Sequence, residues 1–192
     1  MGRQKQVARK RNSCIVIKCE GDTEKVYFNN FSSREMPIHF ATGNCKDPKG
    51  MLEDLCTYLE NEDYNAKDYD DKIYLVVDTD LDEKRIKEIE SIRSECEKEG
   101  INIITSAPTF EVWFLMHFDS VGVYNSSQAV KRALTKFIPK YKEGQDVFDK
   151  LEDLEKAIAR AKQQEQYAEN NGEKLIEHNP HTMAYIVINN KE

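Results

Sequence analysis

Short stretches dominated by apolar residues punctuate a chain that is otherwise rich in charge. They lie at residues 14–17, 37–40, 73–77 and 101–106. Stretches this short, bounded by polar residues, predict strands, because an amphipathic helix needs a longer repeat. The stretch at residues 73–77 is apolar at every position. That pattern is typical of a strand covered on both faces in a parallel sheet.

Longer amphipathic segments separate these stretches, with apolar residues at the spacing of a helix face. We predict helices near residues 22–31, 51–60, 83–98, 109–118, 128–137 and 146–170, a turn at 47–50, a loop at 178–182, and a short helix or strand at 183–188. Strands that alternate with helices predict an α/β fold with a mostly parallel sheet flanked by helices.

The pattern also divides the chain into three predicted parts. Residues 1–12 form a flexible basic arm, residues 13–120 an α/β core, and residues 121–192 a mainly helical C-terminal part that packs on the core. A chain of 192 residues is long enough to bury a substantial core as one domain.

The strand predicted at residues 73–77 ends in alternating carboxylates. On an extended backbone Asp78 and Asp80 point the same way, and Asp82 joins them if the extension persists. Like charges held so close repel, and a divalent cation with oxygen ligands is a common compensation at this edge of an α/β sheet. The alternative is a solvated loop whose first aspartate caps the helix at residues 83–98.

Two further acids occupy comparable positions. Glu20 follows the strand at residues 14–17 and precedes a helix, where open α/β sheets place their ligands. Glu111 lies in the first turn of a strongly apolar helix, where an unpaired charge is costly. Each acid has a second explanation, because a carboxylate in the first turn is favoured by the helix dipole. The sharper hypothesis is a metal ion shared with the aspartates.

Charge and composition narrow the function classes. The net charge of −7 argues against a nucleic-acid partner, but residues 1–11 carry five basic residues and no acid. Arg9, Lys10 and Arg11 in this arm could clamp a phosphate backbone, or the arm could be a disordered, solubilising tail. Five cysteines without a Cys-x-x-Cys spacing suggest neither a disulfide framework nor a zinc ribbon. Without a signal peptide or a long apolar stretch, we expect a cytoplasmic protein with no membrane partner.

The acidic motifs resemble the Toprim fold, in which a strand followed by Glu-Gly is combined with a strand followed by Asp-x-Asp. More specifically, the chain resembles the RloB/AbiLii group of prokaryotic proteins. The resemblance rests on four blocks: Val16-Ile17-Lys18-Cys19-Glu20-Gly21-x-Thr23-Glu24-x-x-Tyr27-Phe28, Val77-Asp78-Thr79-Asp80, Ser106-Ala107-Pro108-x-Phe110-Glu111-Val112-Trp113-Phe114-Leu115-x-His117-Phe118, and Asn179-Pro180-x-Thr182. One departure is Ala107, where Asn is expected, and it leaves every acid in place.

The resemblance implies a Toprim-like fold and a role in abortive phage infection beside an ABC-type ATPase. It also makes a nuclease the expected activity, with DNA or RNA, including tRNA, as the substrate. Because two ions can stabilise both oxygens of an in-line phosphodiester displacement, we expect Mg²⁺ or Mn²⁺ as cofactor. The alternative is a non-catalytic Toprim subunit that docks on and regulates the ATPase. The oligomeric state is left open, with a homodimer as one possibility.

This hypothesis gives each candidate residue a role. Asp78 and Asp80 hold one ion, and Glu20 bridges to a second or acts as general acid/base. Asp82 and Glu111 complete the ligand shells. Phosphate contacts come from the basic arm and from further lysines: Lys18, Lys25, Lys136, Lys140 and Lys142.

Overall fold

The computed structural model describes residues 12–64, 66 and 70–189. The basic arm, with Arg9, Lys10 and Arg11, lies outside the described residues apart from Asn12. The strands are β1 (Ile15–Cys19), β2 (Ile38–Phe40), β3 (Lys72–Asp78), β4 (Ile101–Ala107) and β5 (His181–Thr182). They form one sheet in the order β2-β1-β3-β4-β5, in which β5 alone is antiparallel to its neighbour.

Seven α-helices occur in the described part of the chain. They are α1 (Asp22–Asn29), α2 (Pro48–Glu62), α3 (Glu83–Glu99), α4 (Glu111–Phe118), α5 (Ser127–Leu134), α6 (Leu154–Asn170) and α7 (Ala184–Asn189). Two 3₁₀ turns, Phe148–Lys150 and Leu175–Glu177, connect the C-terminal elements. The predicted α/β fold with a mostly parallel sheet is confirmed, and the arrangement is consistent with a Toprim-like fold.

The alternating side chains of the strands build two hydrophobic clusters, one on each face of the sheet. Ile15 and Ile17 of β1 face the cluster formed with α1 and the helices α4 to α7. Val16 points to the opposite cluster, which α2 and α3 cover. Helices after residue 121 thus share a core cluster with α1 and α4. No helix within residues 12–64, 66 and 70–189 has the length and apolar character needed to cross a bilayer.

Three local predictions are wrong, each for a physical reason. The predicted turn at residues 47–50 is the first turn of α2, because Asp47 accepts a hydrogen bond from Gly50 N at 2.8 Å and Pro48 suits a first helical position. The helix predicted from residue 146 starts at residue 154, where Asp153 caps it. The loop at residues 178–182 contains β5, whose two residues are too few to show a strand repeat.

The register of the sheet brings the predicted acids to one edge. Cys19 at the end of β1 is aligned with Val76, and Asp78 at the end of β3 is aligned with Ser106 of β4. Because these three strands are parallel, the residues that follow them emerge on the same side. The site described next lies at this carboxyl edge.

Candidate functional site

A cleft of about 210 Å³ opens at the carboxyl edge of β1, β3 and β4. Six acidic residues line this acidic cleft: Glu20, Glu24, Asp78, Asp80, Glu111 and the more exposed Glu143. Lys46 and Lys131 are the basic residues of its lining. The acids that sequence analysis placed at this edge, other than Asp82, are therefore brought to one cleft.

Asp78 is the last residue of β3 and lies at the centre of the acidic cleft. Its Oδ2 accepts a hydrogen bond from Thr109 Oγ1 at 2.9 Å, whereas its Oδ1 is buried without a hydrogen-bond partner. Burial, together with repulsion from Glu24, Glu111 and Glu20, raises the pKa of Asp78 well above its ordinary value. Lys131 interacts with this carboxylate electrostatically, but no salt bridge to the Asp78 side chain occurs among the described residues.

Glu111 opens α4 and is 3% exposed. Its Oε1 accepts from Tyr141 Oη at 3.0 Å and lies 3.8 Å from Lys131 Nζ. Its Oε2 is 2.6 Å from Thr109 Oγ1, the hydroxyl that also contacts Asp78. That hydroxyl carries a single proton and can donate to one of the two carboxylates at a time. The two acids therefore compete for one donor.

Glu24 is a site residue that sequence reasoning missed. It lies on the buried stripe of α1 with Thr23, Tyr27 and Phe28, and is 4% exposed. Burial, with repulsion from Glu111 and Glu20, raises the pKa of Glu24 to about 7. Its sequence signal was a charge at a helix position whose neighbours at i+3 and i+4 are Tyr27 and Phe28.

Glu20 and Asp80 contact a cation that sequence analysis also missed. Arg85, from the first turn of α3, bonds through Nη2 to Glu20 Oε2, and its Nε is 3.7 Å from Asp80 Oδ2. Its Nε also donates to Asp78 O at 2.6 Å. Burial raises the pKa of Glu20, while the guanidinium opposes this shift. Two of the five predicted ligands, Glu20 and Asp80, are thus partly neutralised by an arginine.

The extended backbone that was predicted to align Asp78 with Asp80 does not persist. The strand ends at Asp78, and Asp80 and Leu81 adopt left-handed backbone angles with φ of 52° and 58°. Non-glycine residues rarely adopt this conformation. The turn is held by Asp80 N, which donates to Pro108 O at 3.1 Å, and Ser127 Oγ donates to Asp80 Oδ1 at 3.2 Å. Asp80 reaches the cleft by a turn and not by strand alternation.

The prediction that Asp82 is a ligand is not supported by its position. Asp82 is the N-cap of α3, and its Oδ1 accepts from Lys84 N at 2.8 Å and Arg85 N at 3.5 Å. The turn at Asp80 and Leu81 ends the extended backbone that the prediction required. The alternative interpretation was that the first aspartate, Asp78, caps the following helix. In the structure the cap is the third aspartate, Asp82.

Lys18 is also removed from its predicted role. Its side chain is buried, and Nζ donates to Thr42 O, Gly43 O and Asp54 Oδ2 at 3.1, 3.0 and 2.8 Å. An ammonium with three internal acceptors has no donor left for phosphate. The prediction of a nucleic-acid contact by Lys18 is therefore wrong.

The other predicted phosphate contacts lie at the surface. Lys25 is 39% exposed, lies 3.5 Å from Asp22, and lines a groove beside the acidic cleft. Lys136, Lys140 and Lys142 are exposed. Their availability to a phosphate backbone stays a prediction.

A segment of the C-terminal part closes one side of the acidic cleft. Tyr141 Oη reaches Glu111, Glu143 pairs with Lys131, and Gly144 N donates to Thr23 Oγ1 at 2.9 Å. Burial, reinforced by Glu111, raises the pKa of Tyr141, so its hydroxyl stays a donor. The site therefore combines the sheet edge with residues 131–144, which no local sequence signal connected to it.

The donor chemistry of the acidic cleft fits a hard divalent cation. Carboxylate oxygens are the ligands that Mg²⁺ and Mn²⁺ prefer, and the orphaned Asp78 Oδ1 shows where positive charge is lacking. The placement of these oxygens around a single ion is incomplete. Within the described residues no three His, Cys, Asp or Glu side chains are already placed to hold one metal ion. Glu20 and Asp80 face Arg85 instead.

Comparisons with known proteins agree with the residue pattern. The sequence model of the RloB-like protein family matches residues 15–190. Neither the curated proteins nor the solved structures gave a match to the chain. The matched segment extends from β1 to just beyond α7 and includes every acid of the cleft. The chain therefore belongs to the family of RloB-like proteins.

Proposed function

We propose that the chain is a metal-dependent nuclease that acts as an effector of abortive phage infection with an ABC-type ATPase partner. The observation that carries the proposal is the buried, unpartnered Asp78 Oδ1 beside the buried carboxylates of Glu24 and Glu111. Burying uncompensated carboxylates costs stability, and protein sites retain such charge where function needs it. Family membership suggests a defence-related role.

The proposed chemistry is hydrolysis of a phosphodiester. Bound Mg²⁺ or Mn²⁺ would supply charge stabilisation at the phosphate and a nucleophilic water at neutral pH. Asp78 would hold the ion, and Glu20, Asp80 and Glu111 are the candidates to complete its ligands. Glu24, with a pKa of about 7, could donate or accept a proton near the reacting oxygens.

The substrate is proposed to be DNA or RNA, with tRNA among the candidates. Lys131 lies in the acidic cleft 3.8 Å from Glu111 and pairs with Glu143, so a phosphate that approaches it would compete with these carboxylates. Lys25 borders the neighbouring groove, which shares Glu20 and Gly21 with the cleft. The basic arm, with Arg9, Lys10 and Arg11, would add contacts to the phosphate backbone.

The test compares cleavage of plasmid DNA and total tRNA by the wild type, Asp78→Asn and Glu20→Gln, each with Mg²⁺ or Mn²⁺ and with the ATPase partner present. Removal of one group that stabilises charge in a transition state typically costs about 100-fold or more in rate. We expect losses of that size, and full inhibition by EDTA. Glu83→Gln is the matched control, because the Glu83 side chain is 91% exposed.

Equal cleavage by the wild type and the Asp78→Asn variant would contradict the proposal, as would absence of cleavage by the complex on either substrate. The variants also need a check of folding by circular dichroism. Asn and Gln keep the side-chain shapes, so a change in rate reports on charge and not on lost packing.

One observation favours a second function, a non-catalytic subunit that docks on the ATPase and regulates it. Arg85 neutralises Glu20 and approaches Asp80, as in a structural ion pair. In that case ATP hydrolysis by the partner changes when the chain is added, and the change is the same for Asp78→Asn. A nuclease effector instead gives cleavage that depends on Asp78.

A further inference from the structure

Arg85 lies at the centre of a cluster of oxygen atoms contributed by four residues. Two are carboxylates, Glu20 in direct contact and Asp80 at 3.7 Å from Nε. Two are backbone carbonyls, Asp78 O at 2.6 Å and Lys46 O at 3.2 Å. The arginine side chain is 15% exposed.

Carboxylate and carbonyl oxygens converging on one point are also the donors that a hard divalent cation takes. A guanidinium satisfies several of them at once because it is planar and carries five donors. It does so without the charge density of an ion, and it occupies Glu20 and Asp80, two of the carboxylates that line the cleft with Asp78. This arrangement agrees with the absence of a three-ligand group within the described residues.

We propose that Arg85 is an internal counter-ion that competes with the divalent cation for Glu20 and Asp80, so that the site loads when Arg85 withdraws. This proposal rests on the proposed function, since it concerns the regulation of the same cleft. The helix that carries Arg85 need not move, because Asp82 holds the first turn of α3 through Lys84 N and Arg85 N. Withdrawal requires rotation of the arginine side chain alone.

Competition has a measurable consequence. Any species that binds the same carboxylates as the ion lowers the apparent affinity of the ion, and removing it raises that affinity by the free energy of the lost contact. Arg85→Gln keeps a polar side chain able to donate to Asp78 O, but removes the charge from between Glu20 and Asp80. The variant should therefore bind Mn²⁺ more tightly than the wild type.

The experiment is calorimetric titration with Mn²⁺ alone, without nucleic acid, on the full chain. We expect the dissociation constant of Arg85→Gln to fall at least about tenfold, which corresponds to about 1.4 kcal/mol. Arg93→Gln, on the same helix and paired with Glu90 at 2.7 Å, is the matched control and should change the constant less than about twofold. Lys46→Gln removes a cation of the same cleft, and we expect a gain below about threefold.

Two more variants keep the test decisive. Arg85→Lys preserves the charge. If Arg85→Gln folds poorly by circular dichroism, Arg85→Lys takes its place in the titration. Its flexible ammonium cannot bridge all four oxygens, so the affinity gain should be smaller but present. Adding Glu20→Gln to Arg85→Gln should abolish the gain, which assigns the ion to this cleft.

The outcomes separate this inference from the proposed function. Equal or weaker Mn²⁺ binding by Arg85→Gln overturns the competition, and weaker binding would make Arg85 a residue that positions the ligands. Neither result depends on whether nucleic acid is cleaved. Tighter binding by Arg85→Gln without cleavage of any substrate would support the competition and overturn the nuclease. A failure of every variant to bind Mn²⁺ would overturn the competition.

Discussion

Two clusters of buried charge in this protein are built in opposite ways. Around Lys18 on β1, one ammonium meets two carbonyl oxygens and the Asp54 carboxylate, and every donor has an acceptor. The hydrogen bond from Lys18 lowers the pKa of Asp54. In the acidic cleft, burial raises the pKa of Asp78 and leaves one of its oxygens without a partner.

The difference teaches which cluster serves the fold and which is available for chemistry. A closed set of contacts, as around Lys18, stabilises the packing of α2 against the sheet and has no capacity for a ligand. The acidic cleft is left unbalanced, and a ligand with positive charge would complete it. Removing charge from the Lys18 cluster should therefore lower the stability of the fold. Removing charge from the acidic cleft should impair function and not stability.

The largest effect on stability should come from Lys18→Met. The change keeps the length of the side chain but removes the ammonium from two carbonyls and from Asp54, which keeps the hydrogen bond from Cys45 N. Removing one partner of a buried pair typically costs about 3–5 kcal/mol. We expect the lower end, about 3 kcal/mol, because Asp54 is 21% exposed and can be hydrated in part. Urea denaturation followed by circular dichroism measures the change.

Lys25→Met is the control for that experiment. Lys25 is a surface lysine whose ion pair with Asp22 is exposed, so its loss should change the free energy of unfolding by less than about 0.5 kcal/mol. A melting curve of Lys18→Met that coincides with the wild type would break the comparison, because it would show that the buried ammonium adds little to the fold.

The acidic cleft should give a smaller effect that depends on pH. The pKa of Glu24 rises from its ordinary value of 4.5 to about 7 on folding, so the folded chain holds more protons between these values. The free energy of unfolding therefore falls as the pH rises from 4.5 through 7. One pKa unit corresponds to about 1.4 kcal/mol, and sharing of protons within the cluster reduces the expected total to about 2 kcal/mol.

Glu24→Gln removes this carboxyl and also its repulsion of Asp78, whose pKa is raised in the same cleft. In EDTA the variant should have a flatter stability profile between pH 5 and 8 than the wild type, as measured by urea titration at each pH. Because carboxylates must be ionised to bind a cation, Mn²⁺ should stabilise the wild type most at the upper end of this range. A wild-type stability that rises with pH over the same interval would contradict a raised pKa for Glu24.

The acids at the sheet edge could be predicted because their positions follow from the order of strands and helices along the chain. Glu20, Asp78 and Glu111 each lie where a strand leads into a helix, and parallel strands bring those positions together. Glu24, Thr109 and Arg85 were missed, because each enters the cleft through the packing of a helix or a loop. Their roles become visible once distances between elements are known.

Two failed predictions show that local sequence patterns do not reveal contacts between residues distant in sequence. The alternating aspartates predicted that Asp78 and Asp80 project together from an extended backbone, joined by Asp82 if the extension persisted, but the chain turns at Asp80, where contacts with Pro108 and Ser127 are distant in sequence. Lys18 lies two residues before Glu20, so strand alternation alone would place both side chains on one face of the sheet. Its ammonium is instead held by Thr42 O, Gly43 O and Asp54 of α2, contacts that the local sequence does not show.

The smallest effect separates Asp82 from the acids of the cleft. As the N-cap of α3, Asp82 accepts from Lys84 N at 2.8 Å, and replacing such a cap with alanine typically costs about 1 kcal/mol. Asp82→Ala should therefore lower the free energy of unfolding by that amount while its affinity for Mn²⁺ stays within about twofold of the wild type. Asp80→Ala, two residues away, should show the reverse pattern, since its carboxylate caps no helix and faces Arg85. Loss of Mn²⁺ binding by Asp82→Ala would return this residue to the ligand set and would mean that the first turn of α3 rearranges when the cation binds.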